Sequence, residues 1–136
     1  MKFKYKKYGG NFRPVIPVVL RHQDRFVSYG ALVDSGADLC LFHSEVADYL
    51  GFDLSKNIPR EVFGVGGKAS IYHLHKITIE IGGVPYEIET GFISGVSGKV
   101  MSYGVLGQKG FFDLFKSVNF DYNKCLRLSE PKTWPS

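Results

Sequence analysis

The sequence predicts an all-β domain, with strands at the spacing of a small barrel and one or two short helices. Three observations carry that prediction. Tyr, Phe and Gly are abundant, with 8, 11 and 16 copies in 136 residues, and the mixture favours strands and tight turns over a helical bundle. Short apolar runs recur between turn residues at the spacing of a small barrel. The stretch ending at Gly83 also alternates, with Ile71, His73, His75, Ile77, Ile79 and Ile81 on one parity, as a strand requires.

The elements follow in order. "RPVIPVVL" (Arg13–Leu20) is β-branched and apolar, with Pro14 and Pro17 marking a strand start or edge. "RHQDR" (Arg21–Arg25) reads as a polar turn and "FVSYGALV" (Phe26–Val33) as the second strand of a hairpin. "LCLF" (Leu39–Phe42) is a short strand. "SEVADYLG" (Ser44–Gly51) is a helical turn or two, with Ser44 as N-cap, Val46 and Leu50 on one face and Gly51 at the stop. Gly64, Gly66 and Gly67 cluster ahead of the long alternating strand. After the Gly82-Gly83 turn, Val84, Tyr86 and Ile88 alternate against Glu87 and Glu89 as in an antiparallel meander. "SGVSGKVMSYG" (Ser94–Gly104) is a loop, "VLG" (Val105–Gly107) a brief buried strand, and "QKGFFDLFK" (Gln108–Lys116) has the apolar spacing of a short helix. "SVNFDYNKCLRL" (Ser117–Leu128) closes as a hairpin over an Asn-Lys turn, and residues 129–136 form a loose tail.

The length suits one domain, with its core over about residues 12–128 and a basic arm over 1–11. Net charge is +4, much of it in Lys2, Lys4, Lys6 and Lys7. No second basic cluster continues a phosphate track, so the lysines read as a solvated edge and no nucleic-acid partner is expected. Cys40 and Cys125 are far apart and outside any metal-ligand spacing. Two isolated thiols fit a reducing compartment, and a cytoplasmic location is expected. The N-terminus lacks the apolar core of a leader, and no run is long enough to span a bilayer. His73 and His75 share a strand face at a spacing that can hold Zn²⁺, but no third ligand accompanies them, so no metal is expected.

The chemistry concentrates in "ALVDSGADLCLF" (Ala31–Phe42). An apolar strand here ends on a carboxylate, which is costly in a core unless its charge is used or satisfied. Gly36 allows close backbone approach, and Ser35 brings a hydroxyl that can bond to a partner. Two such carboxylates meeting on a common plane could share one proton and one water.

"LVDSGAD" (Leu32–Asp38) resembles the active-site loop of the aspartic proteases, and Ala37 with Asp38 makes it similar to the retroviral branch, the retropepsins. "FGVGG" (Phe63–Gly67) resembles the tip of their flap. "GVLGQ" (Gly104–Gln108) resembles the hydrophobic-hydrophobic-Gly motif before the C-terminal helix, and "FFDLFKSVNFDY" (Phe111–Tyr122) the helix and closing strand of single-domain relatives. The joint match spans about residues 12–128 and implies a retropepsin-like fold, a small closed barrel with a β-hairpin flap.

The resemblance implies an aspartic endopeptidase that needs no cofactor. The sequence holds a single Asp-Ser/Thr-Gly, so one chain supplies half a site and a twofold homodimer is expected, acting on a peptide or protein substrate. Asp34, Ser35 and Gly36 are the implied catalytic set. Ala37, Asp38, Gly64, Val65, Gly66 and Gly67 are the implied substrate-binding set. Paired carboxylates about 3 Å apart would hold one proton between them. Ala37 stands where pepsin-like enzymes often carry a hydroxyl donor, which points to an optimum at roughly pH 4.5–6.5. Retroviral enzymes usually follow the late glycine with Arg, which pairs with the Asp equivalent to Asp38; Gln108 stands there instead. The alternative is a retropepsin-like peptide-binding or dimerisation module with little or no proteolysis.

Overall fold

A computed structural model of the chain describes residues 1–54, 60–63, 69–94 and 102–129. Twelve strands are described: β1 (Lys2–Lys4), β2 (Lys6–Tyr8), β3 (Asn11–Arg13), β4 (Val15–His22), β5 (Arg25–Val33), β6 (Leu41–His43), β7 (Arg60–Phe63), β8 (Ala69–Ile81), β9 (Val84–Ile93), β10 (Gly104–Leu106), β11 (Val118–Asp121) and β12 (Cys125–Leu128). One helix, α1 (Ser44–Leu50), and a 3-10 turn at Phe112–Leu114 complete the set.

Six strands close a barrel in the order β4-β5-β10-β6-β9-β8, and β8 returns to β4 with Leu20 opposite Ile79. The fold is the retropepsin-like one. Two neighbours are parallel, β5 with β10 and β6 with β9. Closure removes the free edges that an open sheet would leave. The alternating pattern fills the interior: Ile16, Val18 and Leu20 from β4 meet Ile77, Ile79 and Ile81 from β8, with Phe42, Phe92 and Leu106 between them. Each such side chain contributes roughly 1.5–3 kcal/mol by burial.

The β8–β9 hairpin turns on Gly82 (φ 58) and Gly83 (φ 81), with Ile81 opposite Val84. A two-residue turn with both centres at positive φ needs this pair of glycines. The buried parity breaks at the far end of β8, where Ile71 is 51% exposed and Tyr72 only 9%. That end lies beyond the β4 contact at Thr78–Glu80 and pairs with β7 instead.

Three other details differ from the sequence expectation. The first hairpin turns on Gln23 and Asp24 alone, with His22 paired to Arg25, because Gln23 takes the left-handed conformation (φ 56). The N-cap of α1 is His43, whose Nδ1 accepts the Glu45 N–H at 3.1 Å, so Ser44 is the first helical residue. Gly51 ends the helix at φ 86, as its position suggested. Residues 108–116 form only the 3-10 turn. Gly110 sits at φ 103 and breaks the helical run, while Asp113 Oδ1 takes its N–H at 3.1 Å. The apolar spacing there serves to bury Phe111 and Phe115.

The basic arm is folded. β1 pairs with β12, and β12 with β11, in a three-stranded sheet; β2 and β3 form a small hairpin. The N-terminal ammonium donates to Leu128 O at 3.0 Å, and Leu128 N–H returns to Met1 O at 2.8 Å.

Candidate active site

The end of β5 is pinned on both sides before it reaches Asp34. Val33 N–H donates to Pro14 O (2.9 Å) and Asp34 N–H to Leu106 O (3.0 Å). The chain then turns, with Ala37 N–H donating to Asp34 O at 3.2 Å. The Asp34 side chain is half-buried, and its Oδ1 accepts the Gly36 N–H at 2.9 Å. A Cβ on Gly36 would lie 3.3 Å from that oxygen. Glycine therefore keeps the carboxylate's surroundings open where a larger residue would crowd it.

The rest of the loop is zipped to the segment after β10. Gln108 N–H donates to Ala37 O (2.8 Å) and Lys109 N–H to Asp38 O (3.0 Å). The Gln108 side chain adds a third bond, Nε2 to Ser35 O at 2.8 Å. Gly107 makes this approach possible: a Cβ there would collide with Leu39 O and lie 2.6 Å from Ala37 O. The loop's exit is tied to β9, since Cys40 O accepts both Gly91 N–H (2.8 Å) and Thr90 Oγ1–H (3.0 Å). Cys40 Sγ lies beneath, 3.4 Å from Gly107 N and 3.4 Å from Lys109 O. Burial pushes its thiol up to about 12, against a smaller lowering by the Gly107 N–H.

Asp34, Ser35, Gly36, Ala37 and Asp38 thus share one loop whose backbone is held from below. The Ser35 hydroxyl and the Asp38 carboxylate are exposed, with no side-chain partner among the described residues. Lys109, whose backbone N–H bonds to Asp38 O, turns its side chain to Glu89 at 3.6 Å. Gly64, Val65, Gly66 and Gly67 lie outside the described residues; before and after them β7 and β8 pair antiparallel, Phe63 opposite Ala69. Among the described residues no group of three His, Cys, Asp or Glu could hold a metal. His75 instead packs on Phe52 (4.4 Å between ring centroids), which also stacks on His22 at 3.8 Å. Burial, then the neighbouring His73 and His22, hold the His75 imidazole below its ordinary value.

Comparison with known proteins bears on this loop. The sequence profile described as aspartyl protease matches residues 18–109, a span that includes the Asp34 loop and Gly107. The chain belongs to the aspartyl protease family.

Solved structures agree on the fold. A retropepsin-like aspartic protease from Rickettsia conorii superposes with a TM-score of 0.65 at 21% identity, covering 94% of this chain and 90% of that one. The retroviral protease-like domain of Ddi1 from Leishmania major gives 0.57 at 18% identity, covering 85% and 87%. The EIAV protease complexed with the inhibitor HBY-793 gives 0.52 at 18% identity, covering 75% and 88%. No curated protein matches.

Within the family frame, two contributors escaped the sequence reading. Gln108 stood out as a missing arginine, yet its amide reaches the Asp34 loop directly. Cys40 read only as one of two isolated thiols, yet it lies against Gly107 N and Lys109 O beneath the loop. The available signal was adjacency, since Gln108 follows the glycine that has to touch the loop.

Proposed function

We propose that the protein is an aspartic endopeptidase that works as a homodimer, with Asp34 of each chain forming the catalytic pair. The observation that carries this reading is the Asp34 loop itself. A half-buried carboxylate ends a core strand, one oxygen is held by Gly36 N–H, and the backbone beneath is fixed by residues 106–109. A single chain offers one such carboxylate, and the chemistry needs two.

In that reading the two carboxylates hold one proton between them, because like charges so close cannot both ionise. Their titration belongs to the pair. The ionised member takes a proton from a water between them, and the water oxygen attacks the scissile carbonyl carbon. The protonated member donates to the carbonyl oxygen. Collapse of the tetrahedral intermediate passes a proton to the leaving amine. Acid–base assistance of this kind is worth about 10²–10⁴ in rate. The Ser35 hydroxyl is available to bond to the facing loop. Asp38, beside the pair, would accept from substrate backbone, and Gly64, Val65, Gly66 and Gly67 would close over the peptide as a flap.

The test is cleavage of a peptide library across pH by wild type and Asp34→Asn, with sizing of both. Cleavage by a dimer that Asp34→Asn abolishes supports the reading. Equal cleavage by both sinks the Asp34 assignment, a strictly monomeric active enzyme refutes the shared site, and a dimer inert in both forms indicates a peptide-binding module.

A further inference from the structure

Two hydrogen bonds in the Asp34 loop meet on one peptide unit. Gln108 Nε2–H donates to the Ser35 carbonyl at 2.8 Å. The N–H of that same peptide belongs to Gly36, and it donates to Asp34 Oδ1 at 2.9 Å. A carbonyl that accepts a hydrogen bond polarises its peptide and makes the attached N–H a stronger donor, so bonds in series reinforce one another by about 10–30%. The chain therefore runs from the Gln108 amide through the Ser35–Gly36 peptide to the carboxylate.

We propose that Gln108 is a positioning residue for Asp34, acting through the Ser35–Gly36 peptide unit: its amide orients that peptide and strengthens the Gly36 N–H bond that holds Asp34 Oδ1. The inference rests on the reading that Asp34 carries the chemistry. It also gives the residue in the arginine position a job inside its own chain. An uncharged amide can hold the carbonyl without placing a cation beside the carboxylate.

Among the described residues, the charged and titratable groups on the loop and on the elements packed against it are Asp38 and Cys40 on the loop, Arg25 and Tyr29 on β5, Lys109, Asp113 and Lys116 on the segment after β10, Tyr86, Glu87 and Glu89 on β9, His43 on β6 and Arg13 before β4. Lys109 is engaged by Glu89, Asp113 accepts from Gly110 N–H, and His43 accepts from Glu45 N–H. Replacing Gln108 by another neutral residue alters none of them, so a change at Asp34 would report the peptide unit.

The experiment compares wild type with Gln108→Met, which keeps length and loses the donor, and Gln108→Arg, which keeps a donor. The Gly36 amide proton is followed by NMR across pH, alongside kcat and KM. In Gln108→Met the Gly36 resonance moves upfield, and its inflection and the acid limb of kcat rise by a few tenths of a pH unit. On the acid side kcat falls about two- to fourfold with KM unchanged. Gln108→Arg returns the Gly36 resonance toward wild type, while its added charge lowers the acid limb on its own account. An unchanged Gly36 resonance and acid limb in a folded Gln108→Met overturn the inference, even if its melting temperature falls, because that pattern marks a purely structural contact. If wild type cleaves nothing, the proposed activity fails, and the Gly36 resonance still decides the role of Gln108.

Discussion

Gly107→Ala isolates the contact that lets the late motif reach the Asp34 loop. Gly107 is absent from the glycines at positive φ, so alanine meets no conformational penalty there. By itself the change should stabilise by about 0.4–1 kcal/mol through the unfolded chain. Space decides otherwise. The new methyl would collide with Leu39 O, and would lie 2.6 Å from Ala37 O and 2.8 Å from Leu39 C. All three are backbone atoms of the same loop, with no flexible side chain to swing away. Overpacking of this kind costs about 1–3 kcal/mol. Relief by separation would stretch Gln108 N–H to Ala37 O and Lys109 N–H to Asp38 O, now 2.8 and 3.0 Å, at about 1 kcal/mol each. The net is a loss of roughly 2–4 kcal/mol, a large share of the stability of a domain this size. Thermal unfolding followed by circular dichroism should show Tm lower by roughly 10 °C. Gly83→Ala is the control, because it has open space but φ 81, and should cost only about 1–2 kcal/mol. If Gly107→Ala melts within about 2 °C of wild type and cleaves the same peptides at the same rate, the close backbone approach is refuted.

Three further outcomes are expected. His75 is held below its ordinary value, chiefly by burial, so the unfolded chain binds a proton more readily than the folded one. Its contribution is present above the unfolded value near 6.5 and is lost as pH falls through the folded value. Urea midpoints should therefore decline below about pH 6.5, and His75→Phe should flatten that decline; an equal slope in both would exclude His75 as the cause. Cys40, buried with its thiol pushed up to about 12, should resist iodoacetamide at pH 8 in the folded protein and react in denaturant, as peptide mass mapping would show. Native labelling of Cys40 would contradict its placement beneath the loop. Asp38→Asn should raise KM several-fold with kcat within about twofold if Asp38 holds substrate backbone; a fall in kcat alone would move it into the chemistry.

Most of the fold was legible because the strands alternate strongly and the turns carry their own chemistry. Gly82-Gly83 and Gly51 sit where positive φ is required, and their residue type announces it. What misled were positions where tertiary contact overrides local pattern. Phe111, Phe112, Leu114 and Phe115 have helical spacing, yet Gly110 at φ 103 stands just before the run and Phe115 is extended (φ −118, ψ 151), which leaves a single 3-10 turn. Ser44 is the better cap by type, but buried His43 holds the extended conformation and supplies the acceptor. The loop was legible in its acidic and glycine residues, because Asp-Ser-Gly after an apolar strand is chemically conspicuous. The Ser35–Gln108 bond was not, because it joins residues 73 apart in sequence.

That long-range bond changes what a missing arginine means. A charged brace reaching Asp38 would neutralise it and fix the loop with one group. Here the two tasks are separated. Gln108 and the backbone of residues 106–109 fix the loop, while Asp38 keeps its charge exposed, with no ion pair among the described residues. Loop order is thus established within one chain, through contacts made as the barrel closes. In the proposed dimer, association then has to align two preformed loops rather than order them, which lowers the entropic cost of bringing the halves together. In the proposed dimer the same separation would leave Asp38 beside the paired carboxylates, exposed to a substrate rather than tied to a brace within the fold.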